Sequence, residues 1–503
     1  MAGKVQVASA PGLVVPHCRP MRMHGVLATI AASALLVAGC SAAASSPTRD
    51  TSTDVPFTGC DSVACTGTIE GADYEIVMPD TWNGTLLIYS HGYRPAEPFP
   101  PTFSPIVRSA SPAPGWDTGD RSLGEALLER GYALAGSAYA SNGWAVEDGV
   151  AAAGQIYDFF SSSIGEPNRV LVWGDSLGGL ITAVLAEQGS DWIDGAAPLC
   201  GVVAGLVANI DLAFDVAYAI QQLIYPEMVI ADFASYEEAV MAWEGAASRL
   251  IQGATEQDTD VISKIFTIAA ISDAPSRTRT QDAASLASQV TGTIENLLTV
   301  LGYATVGRYD IEQRFGGNIS GNELADYAAR VDAAEREFID TIGGEGAAGS
   351  YLATLDNGPR VAADPTARQA AIDRGGNPTG AIDVPVISMH TADDWVISQN
   401  ETVYRNRFDA QAAAGEARAD MVQIFTVPPP EYSSETGTPY GAGHCNFTPQ
   451  SRIAVIDLLD RWVREGVYPG QGAIAGAMGQ ESGYNPIYLP GPWPAPEGLV
   501  PVG

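Results

Sequence analysis

Val170-Leu171-Val172-Trp173-Gly174-Asp175-Ser176-Leu177-Gly178 decides how this chain is read. Four apolar, β-forming residues run into a Gly-x-Ser-x-Gly turn. A helical run, Gly179-Leu180-Ile181-Thr182-Ala183-Val184-Leu185-Ala186, follows directly. A serine between a buried strand and a helix is the pattern of a nucleophile elbow. The two glycines have a steric purpose, because side chains there would collide with the neighbouring strand and helix. The turn lifts the Ser176 hydroxyl clear of the backbone and aims the helix N-terminus at any oxyanion formed beside it.

A serine nucleophile needs a base. The chain offers five histidines: His17, His24, His91, His390 and His444. The first two lie in a segment read below as a signal. His390 ends the apolar run Val384-Pro385-Val386-Ile387-Ser388-Met389 and is read as a structural residue at a strand end. His444 lies in Tyr440-Gly441-Ala442-Gly443-His444-Cys445-Asn446-Phe447, a glycine-rich loop ahead of a helix that Thr448 can cap with Pro449 in its first turn. Adjacent aspartates, Asp393 and Asp394, follow His390. Upstream, His91-Gly92-Tyr93 closes the apolar run Leu86-Leu87-Ile88-Tyr89.

Elbow, aspartates and histidine come in the order Ser, Asp, His. With the early His-Gly loop they resemble an α/β-hydrolase-fold serine hydrolase of esterase/lipase type, over residues 68–200 and 381–466. The resemblance implies acyl transfer through Ser176, with His444 as base. In this superfamily the acid often sits in His-Gly-x-x-Asp-x-x-Val. Anchoring that pattern on His390 selects Asp394, whereas anchoring it on Val396 selects Asp393; Asp394 is preferred. The oxyanion is expected between the backbone N–H groups of Leu177 and Tyr93. One departure stands out. Tannase- and feruloyl-esterase-like enzymes carry a cysteine beside both serine and histidine; Cys445 follows His444 here, but Asp175 precedes Ser176, so that family is not assigned.

The expected fold is α/β: a mostly parallel sheet flanked by helices, with a large helical insertion. Strands are expected at 74–78, 85–90, 133–137, 169–173, 195–199, 383–389 and 421–427. Helices are expected at 122–130, 147–163, 177–188, 401–414 and 449–465. Trp82-Asn83-Gly84 reads as a turn joining two early strands in a hairpin. The core falls into 59–200 and 381–469, interrupted by a helical cap or lid at 201–380 with helical runs at 206–224, 236–251, 285–301 and 323–342. The run 201–225 is long enough for a membrane helix, but Asp211 and Asp215 within it argue for a buried one. The tail, 470–503, is dense in Gly and Pro and is expected to be irregular.

The N-terminus carries a second signal. Arg22, an apolar stretch over 26–37, and Leu36-Val37-Ala38-Gly39-Cys40 read as a bacterial secretory signal ending in a lipobox, residues 1–40, with the start of translation at Met21 or Met23. Cys40 would be acylated and anchor the chain, and 41–58 would be a flexible tether. This places the protein outside the cytoplasm, where disulfides form. Cys60, Cys65, Cys200 and Cys445 allow three pairings. Cys200 and Cys445 should both lie at the catalytic edge of the sheet, which favours their pairing.

Loss of Lys4, Arg19 and Arg22 with the signal takes the formal charge from −33 to −36. Such acidity, without any Lys/Arg-rich run, opposes binding to nucleic acid or anionic membranes, so membrane contact is expected through the lipid anchor only. No Cys/His spacing fits a metal and no phosphate loop is present, so no cofactor is expected. The substrate is expected to be a small-molecule ester, or a peptide if the chain resembles prolyl oligopeptidase; the segment ahead of the first strand is too short for that enzyme's propeller. A silent hydrolase fold used for binding is opposed by the full set of nucleophile, base, acid and oxyanion loop. An epoxide hydrolase or dehalogenase would need aspartate at position 176.

Overall fold

The computed structural model describes residues 64–432 and 439–495. The lipobox, Cys40, the tether and Cys60 lie outside the described residues.

Alternation along the central strands organises the molecule. On β3 (Thr85–Ser90) Leu86 and Ile88 enter one core while Leu87 and Tyr89 enter another. On β5 (Arg169–Asp175) Val170 and Val172 likewise face away from Leu171 and Trp173. Strands apolar on both faces must be covered on both faces. Helices α2 (Val146–Ser163) and α3 (Leu177–Ala186) pack into the first core, and α1 (Ser122–Leu128) and α14 (Pro449–Glu465) into the second.

The remaining strands are β1 (Ala64–Ile69), β2 (Ala72–Val77), β4 (Ala133–Ser137), β6 (Gly195–Leu199), β7 (Val386–Thr391) and β8 (Met421–Thr426). They form one sheet in the order β1-β2-β4-β3-β5-β6-β7-β8. The β1–β2 and β2–β4 pairs are antiparallel and every later pair is parallel. This is the α/β-hydrolase architecture. The parallel strands all end at one edge, where the loops gather.

Three local expectations are corrected. The early hairpin is β1–β2, turned at Glu70-Gly71, both with positive φ. Trp82-Asn83-Gly84 instead leads from β2 to β3, which are not neighbours because β4 lies between them. The helix expected over 323–342 is broken into α9 (Tyr327–Arg330) and α10 (Ala333–Gly343), because Asp332 leaves helical geometry to cap α10 in a reciprocal box with Glu335. The tail is also more ordered than its composition implies. It forms α15 (Gln471–Met478), and Val427 N–H then donates to Gly483 O at 2.8 Å and Asn485 N–H to Phe425 O at 2.9 Å, covering the free edge of β8.

Between β6 and β7 the chain forms α4 (Leu206–Leu223), α5 (Tyr236–Thr255), α6 (Thr259–Ser272), α7 (Leu286–Ala304), α8 (Val306–Phe315), α9, α10, α11 (Ala347–Asn357) and α12 (Pro365–Arg374). Helices α4 to α11 share an apolar cluster of their own, whereas α12 packs into the first core of the sheet through Ala367 and Ala371. The charges within the long apolar run are neutralised in place: Asp211 meets Arg368 at 2.9 Å, and Asp215 meets Arg330 at 2.7 Å and the Tyr327 hydroxyl at 2.6 Å. Helix α4 is thus a buried helix of the insertion. Among the described residues no helix is long and apolar enough to cross a membrane. Helix α13 (Gln399–Ala414) follows β7.

Candidate active site

Ser176 joins β5 to α3 at φ 62° and ψ −121°, a conformation that costs a side-chain-bearing residue ~1–3 kcal/mol. The surroundings enforce it. A Cβ on Gly174 would fall 2.5 Å from both Gly178 O and Ser90 O, and one on Gly178 would fall 1.9 Å from Ser90 O. Leu177 is the first residue of α3, so its N–H has no acceptor within the helix. The loop after β3 presses on the nucleophile: a Cβ on Gly92 would stand 3.2 Å from Ser176 Cβ. Tyr93 follows on that loop and lines the same cavity as Ser176 and Leu177. Among the described residues neither the Tyr93 nor the Leu177 amide donates to a protein acceptor.

His444 is carried by the loop between β8 and α14, whose first turn Thr448 caps through Ser451 N. Its Nδ1 lies 2.9 Å from Asp394 Oδ1 and 3.0 Å from Oδ2. Asp394 is completely buried and also accepts from Val396 N at 2.9 Å, Thr391 Oγ1 at 3.3 Å and Cys445 N at 3.3 Å. Burial pushes this carboxyl upward, but the charge and hydrogen bond of His444, with His390 nearby, hold it below the ordinary carboxylate range. Asp393 points elsewhere, to Arg277 at 3.3 Å. The second ring nitrogen of His444, Nε2, is buried without a hydrogen-bond partner. With Nδ1–H donating to Asp394, Nε2 carries the free lone pair. The imidazole rests against Trp395, centroids 4.6 Å apart, and Trp395 lines the Ser176 cavity. Trp395 thus touches both the imidazole and the cavity, and among the described residues no hydrogen bond joins the Ser176 and His444 side chains.

The two remaining core histidines are structural. His91 stacks on Tyr139 at 3.9 Å and donates from Nδ1 to Gly92 O at 2.7 Å; burial, with Arg94 nearby, lowers its pKa to about 3, so it is neutral. His390 is fully buried, with Nε2 donating to Val396 O at 2.7 Å and Nδ1 3.5 Å from Glu401. Burial pulls its pKa down, yet the Glu401 hydrogen bond and the charges of Asp394 and Glu401 raise it overall.

Several site residues carry no signal in the sequence. Arg452 on α14 reaches Asp175 Oδ2 at 2.6 Å and Cys445 O at 3.0 Å, tying the residue before the nucleophile to the residue after the histidine. Arg279, between α6 and α7, donates to His444 O at 2.8 Å. Tyr303 on α7 stacks on Trp395 at 5.1 Å. Cys200 and Cys445 form a disulfide spanning 245 positions, the pairing favoured from the sequence. With His444 they make a compact Cys/His cluster, but sulfurs bonded to each other are not thiolate ligands.

The cavity at Ser176 encloses about 660 Å³ including its mouth. Its walls are the aromatic rings of Tyr93, Trp144, Tyr303 and Trp395 and the aliphatic side chains of Val202, Ile210, Leu212, Val300 and Ile397. No charged side chain lines it.

A serine at positive φ on the elbow of an α/β-hydrolase sheet, opening on an apolar cavity, marks a hydrolase-fold protein. No family model matches the chain. It is similar to o-phthalyl amidase of Xanthobacter agilis, 22% identical over 440 residues, covering 80% of this chain and 87% of that protein. Among solved structures it is similar to feruloyl esterase B from Aspergillus oryzae, at 15% identity and a TM-score of 0.33, covering 81% of this chain and 80% of that one. It is also similar to the rice cell wall degrading esterase LipA from Xanthomonas oryzae, at 14% identity and a TM-score of 0.29, covering 71% and 79%.

Proposed function

We propose that the protein is an extracytoplasmic serine hydrolase that cleaves carboxylic esters through an acyl-enzyme. Ser176 Oγ attacks the carbonyl carbon while His444 Nε2 takes its proton. The oxyanion is held by the Leu177 and Tyr93 amides. Collapse of the tetrahedral adduct breaks the bond to the alcohol oxygen, and His444 returns the proton to that leaving group. Water repeats the sequence on the acyl-enzyme, releasing the acid and restoring Ser176. Asp394 keeps the proton on Nδ1 and stabilises the imidazolium that forms. The observation carrying this reading is the lone pair of His444 Nε2, buried and unpartnered while Nδ1 is committed to Asp394, on an imidazole packed against Trp395 of the Ser176 cavity wall.

Amide hydrolysis is the second reading, favoured by the similarity to o-phthalyl amidase. The uncharged cavity supports neutral substrates in either case. For location, the lipobox supports anchoring through acylated Cys40; metabolic labelling with a fatty acid, lost in Cys40→Ser, would test it.

The function is tested by fluorophosphonate labelling of the full-length protein beside Ser176→Ala and His444→Ala, followed by matched ester and amide substrates. Labelling abolished in both variants, with ester turnover exceeding amide turnover, is the expected result. A folded wild type that resists the probe and turns over neither substrate would overturn the proposal.

A further inference from the structure

Helix α4 separates two cavities. Asn209, Ile210, Leu212 and Ala213 face the cavity at Ser176. Ala208, Asp211, Leu212 and Asp215 face a second, polar cavity that encloses about 1030 Å³ including its mouth and is bordered by Arg330 and Arg368. Leu212 is the residue common to both walls. Its neighbours mark the boundary: it packs in a small cluster with Ile397, which lines the first cavity, and Trp493 of the C-terminal tail, which lines the second. Leu212 is buried, so its side chain is packed within that cluster and not turned out to solvent.

We infer that Leu212 is the partition that limits how long a substrate arm the Ser176 site accepts, and that the polar cavity beyond it is a closed continuation of that site. This rests on the serine-hydrolase reading. An arm that follows α4 away from Ser176 would have Ile210, Ala213 and Leu212 for its wall, with Leu212 the one of them that also walls the second cavity. Cutting that side chain back to its Cβ joins the two spaces. The second cavity can admit a chain without breaking an ion pair, since Asp211 and Asp215 are already paired with Arg368 and Arg330. The native enzyme is therefore a short-arm hydrolase whose length limit is set by one side chain of the insertion.

The test compares wild type, Leu212→Ala, Leu212→Val and Leu212→Phe as full-length proteins. Two substrate series are used: p-nitrophenyl esters from acetate to decanoate, and alkyl acetates from methyl to decyl. In one series the ratio of kcat/KM for the longest to the shortest member should rise about tenfold or more in Leu212→Ala, less in Leu212→Val, and fall in Leu212→Phe. The ratio is the readout because a merely loosened fold lowers both members together. Unchanged ratios in both series for Leu212→Ala and Leu212→Val, with acetates still hydrolysed, would overturn the partition. A wild type that cleaves no acetate and resists fluorophosphonate would overturn the serine-hydrolase reading, and the partition with it.

Discussion

Asp394→Asn is the most informative single substitution, because the structure dictates how the amide must sit. The Asp394 carboxylate receives His444 Nδ1, Val396 N–H, Cys445 N–H and the Thr391 hydroxyl, and its completely buried position lets in no water to replace them. Asparagine has one acceptor oxygen and one donor NH2. Either orientation sets the NH2 against one backbone N–H, Val396 at Oδ1 or Cys445 at Oδ2, costing ~1–3 kcal/mol for the group left unsatisfied. The Oδ2 position is the cheaper one, because the Cys445 bond there is the longer and the Thr391 hydroxyl can turn to accept; an NH2 at that position also faces His444 Nδ1 at 3.0 Å and favours the proton on Nε2, the atom proposed to receive the Ser176 proton. Loss of the working tautomer corresponds to about 10⁴-fold in kcat, or ~5 kcal/mol. Asp393→Asn is the internal control. Its carboxylate meets only Arg277, and a partly exposed pair of that kind contributes ~1 kcal/mol at most, a few-fold in rate. The assay is kcat/KM on a chromogenic acetate, with active sites counted by the acyl burst and folding checked by circular dichroism. Asp394→Asn within tenfold of wild type, or Asp393→Asn as damaged as Asp394→Asn, would refute the assignment of the acid.

Two further perturbations test how the site is supported. Joint replacement of Cys200 and Cys445 by serine opens a loop of 245 positions, for which chain entropy sets an upper estimate of about 5 kcal/mol. The denaturation midpoint should fall, and kcat should fall with it while Arg452 still holds Cys445 O; an unchanged midpoint would show that the bridge does not constrain the chain. Glu401→Gln removes the carboxylate beside His390, whose folded-state pKa is raised from its ordinary 6.5. A raised pKa gives stability fully present below about pH 6.5 and lost as pH climbs through the folded value. The stability difference between wild type and variant should thus be larger in mild acid than in alkali; chemical denaturation across that range, showing a difference that grows with pH, would contradict the raised pKa of His390.

How far the sequence could be read depended on whether the determining contacts were local. In Val170–Gly178 strand, turn and helix each follow from neighbouring residues; only the backbone that Gly174 and Gly178 must clear, Ser90 O on β3, comes from elsewhere in the chain. Strands β4 and β6 were legible at their ends as well as their centres. β1 was not, because Ala64–Ile69 is a half-exposed edge strand containing glycine, with too little apolar alternation to register. The C-terminal tail was misjudged for the converse reason. Its order comes from pairing with Phe425 of β8 and with Val427 just beyond it, partners more than fifty residues away. Arg452, Arg279 and Tyr303 were invisible on the same ground, since nothing near them in the chain specifies Asp175, His444 or Trp395 as their partners.

Those distant contacts divide the site into a fixed half and a coupled half. Ser176 is held by β5, α3 and the Gly92 loop, all within the sheet core, where displacement would drive Gly178 into Ser90 O. His444 is held differently. Arg452 and the disulfide fasten its loop to the core, but Arg279 of the insertion donates to its own carbonyl, and Arg279 Cγ lies where a Cβ on Gly443 would come within 2.7 Å. Tyr303 of the insertion bears on Trp395, which bears on the imidazole. Under the proposed mechanism, a substrate group that repositions α7 or the segment before it would shift His444 relative to a Ser176 held by the sheet core. Misplacing a base by about 1 Å can cost 10²-fold in rate. Substrate selection by the insertion should thus register in kcat as well as in KM, because the walls that feel the substrate also carry the contacts that aim His444.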